Sequence, residues 1–188
     1  MKALKTPLRY PGGKSRATKY LLPRFPKDIK EYRETFLGGG SVAIAFSKEN
    51  PDIPVWVNDL YEPLYNFWCE LRDNSVELSR RLVELKSRYP DQASARGLFI
   101  EAKELVNDYD QSNLSRAIAF YVINKCSFSG LTESSSFSRQ ASDSNFSMSG
   151  INKLKGYSYI IRNWKITNWS YEGLLTDDKS TFIYHDPP

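Results

Sequence analysis

The chain has 188 residues, with 26 Lys and Arg against 22 Asp and Glu and 40% hydrophobic residues, values that exclude global disorder and allow one domain with an inserted lobe. Two cysteines exclude a disulfide-built secreted miniprotein and read as reduced core thiols, while a single histidine, His185, excludes a site needing two imidazoles and argues against a Ser-His-Asp triad. No apolar run approaches the roughly 20 residues of a membrane span and no apolar stretch follows the basic N-terminus, so a soluble, cytoplasmic chain with no membrane partner is expected.

Along the chain, residues 1–30 are basic and carry the turn Tyr10-Pro11-Gly12-Gly13-Lys14-Ser15, after which Ala17, Tyr20, Leu21 and Leu22 recur at helical spacing, predicting a loop that opens a helix. Tyr32 to Leu37 reads as a strand that meets Gly38-Gly39-Gly40-Ser41, and Val42 to Lys48 as the helix beyond. Pro54 to Asp59 is a second strand ending in two polar residues, and Glu62 to Arg72 is a second helix with Leu64, Phe67, Trp68 and Leu71 on one face. From Ser75 to about Ser127 helical patterns follow one another without strands, predicting an inserted helical lobe. Residues 127–150 hold ten serines and no clear period, the pattern of a flexible loop. Ile151 to Trp164 returns to helix, Lys165 to Trp169 is a short strand, and Thr181 to Tyr184 is a buried strand running into His185-Asp186-Pro187-Pro188. The fold class expected is therefore α/β, with a Rossmann-like sheet over residues 1–74 and 151–188 and a helical insertion over 75–150.

Three constellations can carry chemistry. Gly38-x-Gly40-x-x-Ala43, with Asp59 about 20 residues on at the next strand tip, fits the nucleotide fingerprint of a doubly wound sheet, since glycines admit a ligand to the backbone and the carboxylate accepts from ribose hydroxyls. Nicotinamide and S-adenosylmethionine enzymes both use this arrangement, and a tight strand-to-helix turn with a capping Asp needs no ligand at all. Gly12-Gly13-Lys14-Ser15 fails as a phosphate-binding P-loop because position 8 is Leu where that pattern has Gly, but a lysine on a Gly-Gly turn still suits an anion. Asp186-Pro187-Pro188 ends a strand, because prolines forbid its continuation, and holds a carboxylate beside a preset carbonyl. An amino group bonded to both would have its hydrogens held and its lone pair aimed elsewhere. The 4 Trp, 12 Tyr and 10 Phe, with a net charge of +4, suit a protein that stacks on bases and touches phosphates.

Taken together, Leu8-Arg9-Tyr10-Pro11-Gly12-Gly13-Lys14, Glu34-Thr35-Phe36-Leu37-Gly38-Gly39-Gly40-Ser41-Val42 and Asp186-Pro187-Pro188 resemble, in order, motifs of the Dam-type (alpha-class) DNA adenine-N6 methyltransferases. Asn124-Lys125-Cys126-Ser127-Phe128-Ser129-Gly130-Leu131 resembles the Asn-x5-Gly-Leu segment of that family's target-recognition region. The resemblance implies that Tyr10, Lys14, Phe36, Gly38, Gly40, Asp59 and Asp186 hold S-adenosylmethionine. It further implies that Asp186 and Pro187 bond N6 of an adenine flipped out of duplex DNA, and that the methyl passes directly, without a metal. DNA contact is expected from Arg9, Arg16, Lys19, Asn124, Lys125, Phe128, Ser129 and Arg139, and the resemblance implies a bacterial or phage-encoded protein, as in restriction-modification, with no obligate protein partner.

Two departures accompany the match. Thr35 stands where the family commonly has Pro, and the family's motif tyrosine would follow Pro188, so the expectation is of a C-terminally incomplete sheet and an inactive fragment. The rival readings are a catalytically incompetent module binding S-adenosylmethionine or DNA and, more remotely, a nicotinamide oxidoreductase built on the same glycine turn.

Overall fold

The computed structural model describes residues 5–130 and 134–187, without the side chain of Ser129. Leu131 and Pro188, which belong to two of the motifs, lie outside the described residues. Four strands, β1 (Glu31–Glu34), β2 (Val55–Asn58), β3 (Lys165–Thr167) and β4 (Thr181–Tyr184), form a parallel sheet in the order β3-β2-β1-β4. Parallel strands leave the sheet at one edge, so the segments after β1, β2 and β4 emerge side by side. The order turns at β1, whose neighbours are β2 and β4, and the crevice beyond such a turning point is where doubly wound sheets bind ligands. This is the expected Rossmann-like α/β arrangement.

The helices nearest the sheet follow from alternation along β1. Tyr32 and Glu34 point to the face covered by α2 (Ser41–Glu49), where the Tyr32 ring stacks on Phe46 at 4.3 Å between centroids. Phe25, beyond the short α1 (Thr18–Leu21) and the 3-10 turn Leu22–Arg24, closes this cluster against Phe182 of β4 at 4.5 Å. Arg33 points the other way with Trp56 of β2, whose ring lies under the Lys165 ammonium at 3.3 Å and the Arg33 guanidinium at 4.6 Å, a cation–π arrangement. The β1 strand ends at Glu34, earlier than the expected Leu37, because Leu37 N–H turns away to the Asn58 carbonyl and Gly38 enters the left-handed region. Strand β4, read from its apolar content as buried, is half-buried, since its partner lies on one side only.

After α3 (Glu62–Asp73), helices follow one another from Ser75 to Cys126 without a strand between them among the described residues: α4 (Ser75–Arg88), α5 (Gln92–Leu105) and α6 (Asn113–Cys126). Helix α6 is buried from Arg116 to Cys126 and packs between α3 and α5, with Phe67 of α3 stacked on Tyr121 at 5.8 Å. An ion pair from the buried Arg116 to Glu62 ties α6 to the start of α3. One continuous apolar core therefore serves sheet and lobe.

Among the described residues of 127–150 the flexible-loop reading is overturned. Ser127 and Phe137 form an antiparallel bridge, the Phe128 N–H reaches the Ser136 carbonyl at 3.1 Å, and α7 (Arg139–Ser144) and α8 (Met148–Asn152) follow. Some of the serines are helix caps: Ser138 Oγ accepts from Ala141 N–H and Ser147 Oγ from Gly150 N–H, both at 3.2 Å, which is the cap chemistry that suits short polar side chains. Elements of five or six residues are too short to display a period, and the buried Phe146 and Ile151 anchor them. The helix read over 151–164 is likewise divided, into the end of α8 and α9 (Leu154–Ile161). Both cysteines are free thiols, Cys126 buried and Cys69 partly so.

Glu34 is the costly residue of this fold. It is buried at the end of β1, and burial pushes its carboxyl from near 4.5 up to about 8, against hydrogen bonds from the Tyr32 hydroxyl (2.7 Å) and Ala43 N–H that favour the ionised form, and with Asp186 and Asp59 adding to the rise. Between about 4.5 and 8 the folded protein then holds a proton that the unfolded chain has released, so stability falls as pH rises through that window and levels off above it. In Glu34→Gln, which keeps an acceptor for Tyr32, this slope is removed. Tm of the parent relative to the variant should drop by at least about 3 °C between pH 5 and pH 8.5, and a constant difference would refute the assignment.

Candidate active site

The edge where β1, β2 and β4 end opens into a cleft of about 480 Å3. Its floor is the glycine turn after β1. Gly38 (φ +48°) and Gly40 (φ +66°) take the left-handed conformation that glycine alone adopts without strain. The turn is also too crowded for side chains, because a Cβ on Gly38 would come within 2.7 Å of the Tyr10 ring and one on Gly40 within 2.7 Å of Trp68. Trp68 Nε1 donates to the Gly38 carbonyl at 3.2 Å.

Asp59 braces this turn from the tip of β2. Its Oδ2 accepts from Gly38 N–H at 2.9 Å and its Oδ1 from Tyr61 N–H at 3.0 Å, just before α3. Burial raises its carboxyl above the usual carboxylate range, opposed by these two bonds. Asp59 is no helix cap, since α3 begins beyond Tyr61 with no side-chain cap; it braces the turn with both oxygens and also faces the cleft.

The opposite wall comes from the N-terminal loop. Gly13 N–H closes a turn on the Tyr10 carbonyl at 3.1 Å, and Lys14 N–H donates to Ser41 Oγ at the start of α2 at 3.0 Å. Lys14 precedes α1 by a further turn rather than opening it. Its ammonium donates to the Gly12 carbonyl (3.0 Å) and pairs with Asp186 Oδ2 at 2.6 Å, both side chains about one-third exposed. Asp186 and Pro187 hang from β4 at the rim, steadied where Thr35 Oγ1 meets His185 Nδ1 at 2.9 Å and the Tyr184 carbonyl at 3.4 Å. Thr35, the departure from the usual Pro, thereby links the ends of β1 and β4.

Tyr10, Lys14, Phe36, Gly38, Asp59, Asp186 and Pro187, singled out in the sequence, all line this one cleft, whereas Gly40 lies behind it against Trp68. Glu34 and Ser41 line it too and were missed as site residues. The signal for Glu34 was a carboxylate at the end of a strand, opening the glycine motif and in register with the inward-facing Tyr32. Among the described residues no cluster of side chains suits a metal ion, and no helix is long and apolar enough to cross a membrane.

The expected DNA-facing residues divide. Arg16, Lys19 and Arg139 are exposed, as is Phe128 at 69%. Asn124 and Lys125 are buried, which corrects their reading as surface contacts: the Asn124 amide bonds backbone groups of Arg9 and Gly130, and burial with Arg9 nearby lowers the Lys125 ammonium to about 8. Arg9 is half-buried, its guanidinium donating to the Ser127 carbonyl at 2.8 Å. Ser129 belongs to the 3-10 turn Phe128–Gly130, its side chain outside the described ones.

The chain is similar to the Type II methyltransferase M.MjaIII of Methanocaldococcus jannaschii, with 24% identity over 200 residues that cover 96% of this chain and 68% of that protein. The model of the D12 class N6 adenine-specific DNA methyltransferases matches residues 10–188, which takes in the N-terminal loop, the glycine turn, the helical lobe and the Asp-Pro-Pro rim. The N-terminal loop, the glycine turn and the Asp-Pro rim within that span wall the cleft at the turning point of the sheet, and the chain belongs to the D12 class N6 adenine-specific DNA methyltransferases.

Proposed function

We propose that the cleft binds S-adenosylmethionine and that the protein transfers its methyl group to N6 of an adenine flipped from duplex DNA. The observation that carries this reading is the gathering of Glu34, Asp59 and the Lys14–Asp186 pair around one glycine-floored cleft at the turning point of the sheet. The residues suit the cofactor's chemistry: carboxylates for an ammonium and a ribose diol, a lysine for a carboxylate, and the Phe36 ring for the adenine. When bound, S-adenosylmethionine supplies an electrophilic methyl group on a sulfonium centre.

In this reading the protein's own residues do the rest. Tyr10 and the glycine turn shape the cofactor pocket, and Asp59 accepts from the ribose hydroxyls while keeping Gly38 in place. Asp186 and the Pro187 carbonyl accept from the two N6 hydrogens and so hold the nitrogen lone pair toward the methyl group, a matter of orientation that contributes much of a transfer barrier. The Asp186 carboxylate is placed to receive the one N6 proton released as the nitrogen–methyl bond forms and the methyl–sulfur bond breaks. Lys14, already paired with Asp186, keeps that carboxylate at the cofactor end of the cleft. The insertion over 75–150 is the DNA-reading lobe, with Phe128 and Arg139 presented to the duplex and Arg16 and Lys19 flanking it on the N-terminal third.

Calorimetry on Asp59→Ala should show S-adenosylmethionine binding weakened tenfold to a hundredfold, the effect of removing a hydrogen-bonded charge worth about 1.5 to 3 kcal/mol. Affinity within about twofold of the parent would overturn the cofactor assignment. Asp186→Asn should retain cofactor affinity within about fivefold yet lose radiolabelled methyl transfer to adenine-containing duplex by at least about a hundredfold. Equal losses in both would make Asp186 a cofactor residue only.

On the DNA side, Arg139→Ala should lower the slope of log affinity against log salt by about one, read by fluorescence anisotropy with a labelled duplex. Phe128→Ala should keep that slope and weaken binding about tenfold, because a stacking contact of about 1 to 3 kcal/mol is lost without a phosphate contact. An unchanged slope in the first variant, or a changed slope in the second, would remove that residue from the interface.

A further inference from the structure

A single side-chain amide fastens the recognition lobe to the cofactor loop. Asn124 lies in the last turn of α6 and is 2% exposed. Its Oδ1 accepts from Arg9 N–H at 3.0 Å, and its Nδ2 donates to the Arg9 carbonyl at 2.7 Å and to the Gly130 carbonyl at 3.0 Å. Two bonds to one residue make this side chain act as a strand neighbour for the segment that leads into Tyr10. The third holds the turn Phe128–Gly130. Gly130, at φ +74°, lies so close that a Cβ there would come within 2.5 Å of Arg9 Cβ and 2.7 Å of the Arg9 carbonyl oxygen. Arg9 answers through its guanidinium, bonded to the Ser127 carbonyl at 2.8 Å. One residue further on, Tyr10 packs its ring on Gly38 in the cleft.

We propose that Asn124, seated against Gly130, is a positioning residue through which occupation of the cleft and binding of duplex DNA at the Phe128 turn strengthen each other. The proposal rests on the reading of the cleft and lobe given above, and it moves Asn124 from the DNA surface to the joint behind it. A ligand that orders Tyr10 also orders Arg9, and the Asn124 amide passes that order to the turn bearing Phe128. By linkage the duplex must then favour the cofactor by the same factor.

The test measures S-adenosylmethionine affinity by calorimetry with and without saturating duplex, and duplex affinity by anisotropy with and without S-adenosylmethionine. The parent should show a coupling factor of about fivefold or more in both directions. In Asn124→Asp, which keeps the side-chain size but sets a carboxylate oxygen against two carbonyls, the factor should fall toward one while the salt slope of duplex binding is unchanged. A residue that merely supports the fold would weaken each affinity equally with and without the other ligand, and that outcome overturns the proposal. Hydrogen exchange on the parent needs no variant: duplex alone should slow exchange at the Arg9 and Tyr10 amides about tenfold, and unchanged exchange there overturns it as well. A parent that binds neither ligand overturns the underlying reading, whereas a parent that binds both without coupling overturns this proposal alone.

Discussion

The bond from Gly38 N–H to Asp59 Oδ2 is the constraint around which the cleft is organised. Parallel strands cannot be joined by tight turns, so each strand tip in such a sheet must be fixed by something other than its own connection. Asp59 does this for β1 and β2 at once, holding the glycine turn with one oxygen and the approach to α3 with the other. With the turn held, Gly38 and Gly40 can remain in the left-handed region, Tyr10 can rest on Gly38, and Trp68 can reach back from α3 to the Gly38 carbonyl. The result is a cleft floor of backbone rather than side chains, which is what a flat nucleoside needs for close approach.

The electrostatics of the cleft follow from how its charges are solvated. Glu34 and Asp59 are desolvated and pushed upward, whereas Asp186 stays at the rim with Lys14 against it. A cationic ligand beside the deep carboxylates would favour their ionised forms, and the shallow one remains open to a second molecule arriving from outside. A partly exposed ion pair such as Lys14–Asp186 contributes little to stability. Its consequence is geometric, since it draws the N-terminal loop and the β4 rim together across the mouth of the cleft.

Most of the sheet was legible in the sequence because β2 and β4 are short apolar runs and the strand ends carry unmistakable punctuation: three glycines after β1, Asn58-Asp59 at the tip of β2 and a Pro-Pro pair after β4. The glycine turn and its partner Asp59 were legible for the same reason, since their spacing reflects one strand-to-strand crossover. Three features were not legible, each for a physical reason. The serine-rich segment hid its helices because caps and buried anchors, rather than periodicity, specify elements so short. Asn124 and Lys125 looked like surface residues because polar side chains usually are, and only the packing of α6 among other helices, with Arg9 arriving from more than a hundred residues away to bond Asn124, buries them. Glu34 was passed over because a carboxylate inside a sheet becomes meaningful only once the neighbouring Tyr32, Asp59 and Asp186 are seen together.

Burial of α6 on nearly every side has a mechanical consequence. A lobe attached by a linker would move independently of the sheet, but this one shares its core with α3 through Phe67, Phe120 and Tyr121 and is locked at the start of that helix by the Arg116–Glu62 pair. Breaking such a buried pair strands a charge in a poorly solvating place, so relative motion of lobe and sheet along α6 is costly at that end. At the other end α6 delivers Asn124 to Arg9. One rigid helix therefore has one terminus beside the Asp59–α3 junction and the other beside the Tyr10 loop, and both of those segments are walls of the same cleft. A change in the width of the cleft must either move the whole of α6 or be taken up in the Phe128 turn, where the backbone is held by single hydrogen bonds and the side chain is already exposed. In the function proposed above that turn faces DNA, so a change of cleft width taken up there would be felt at the DNA surface.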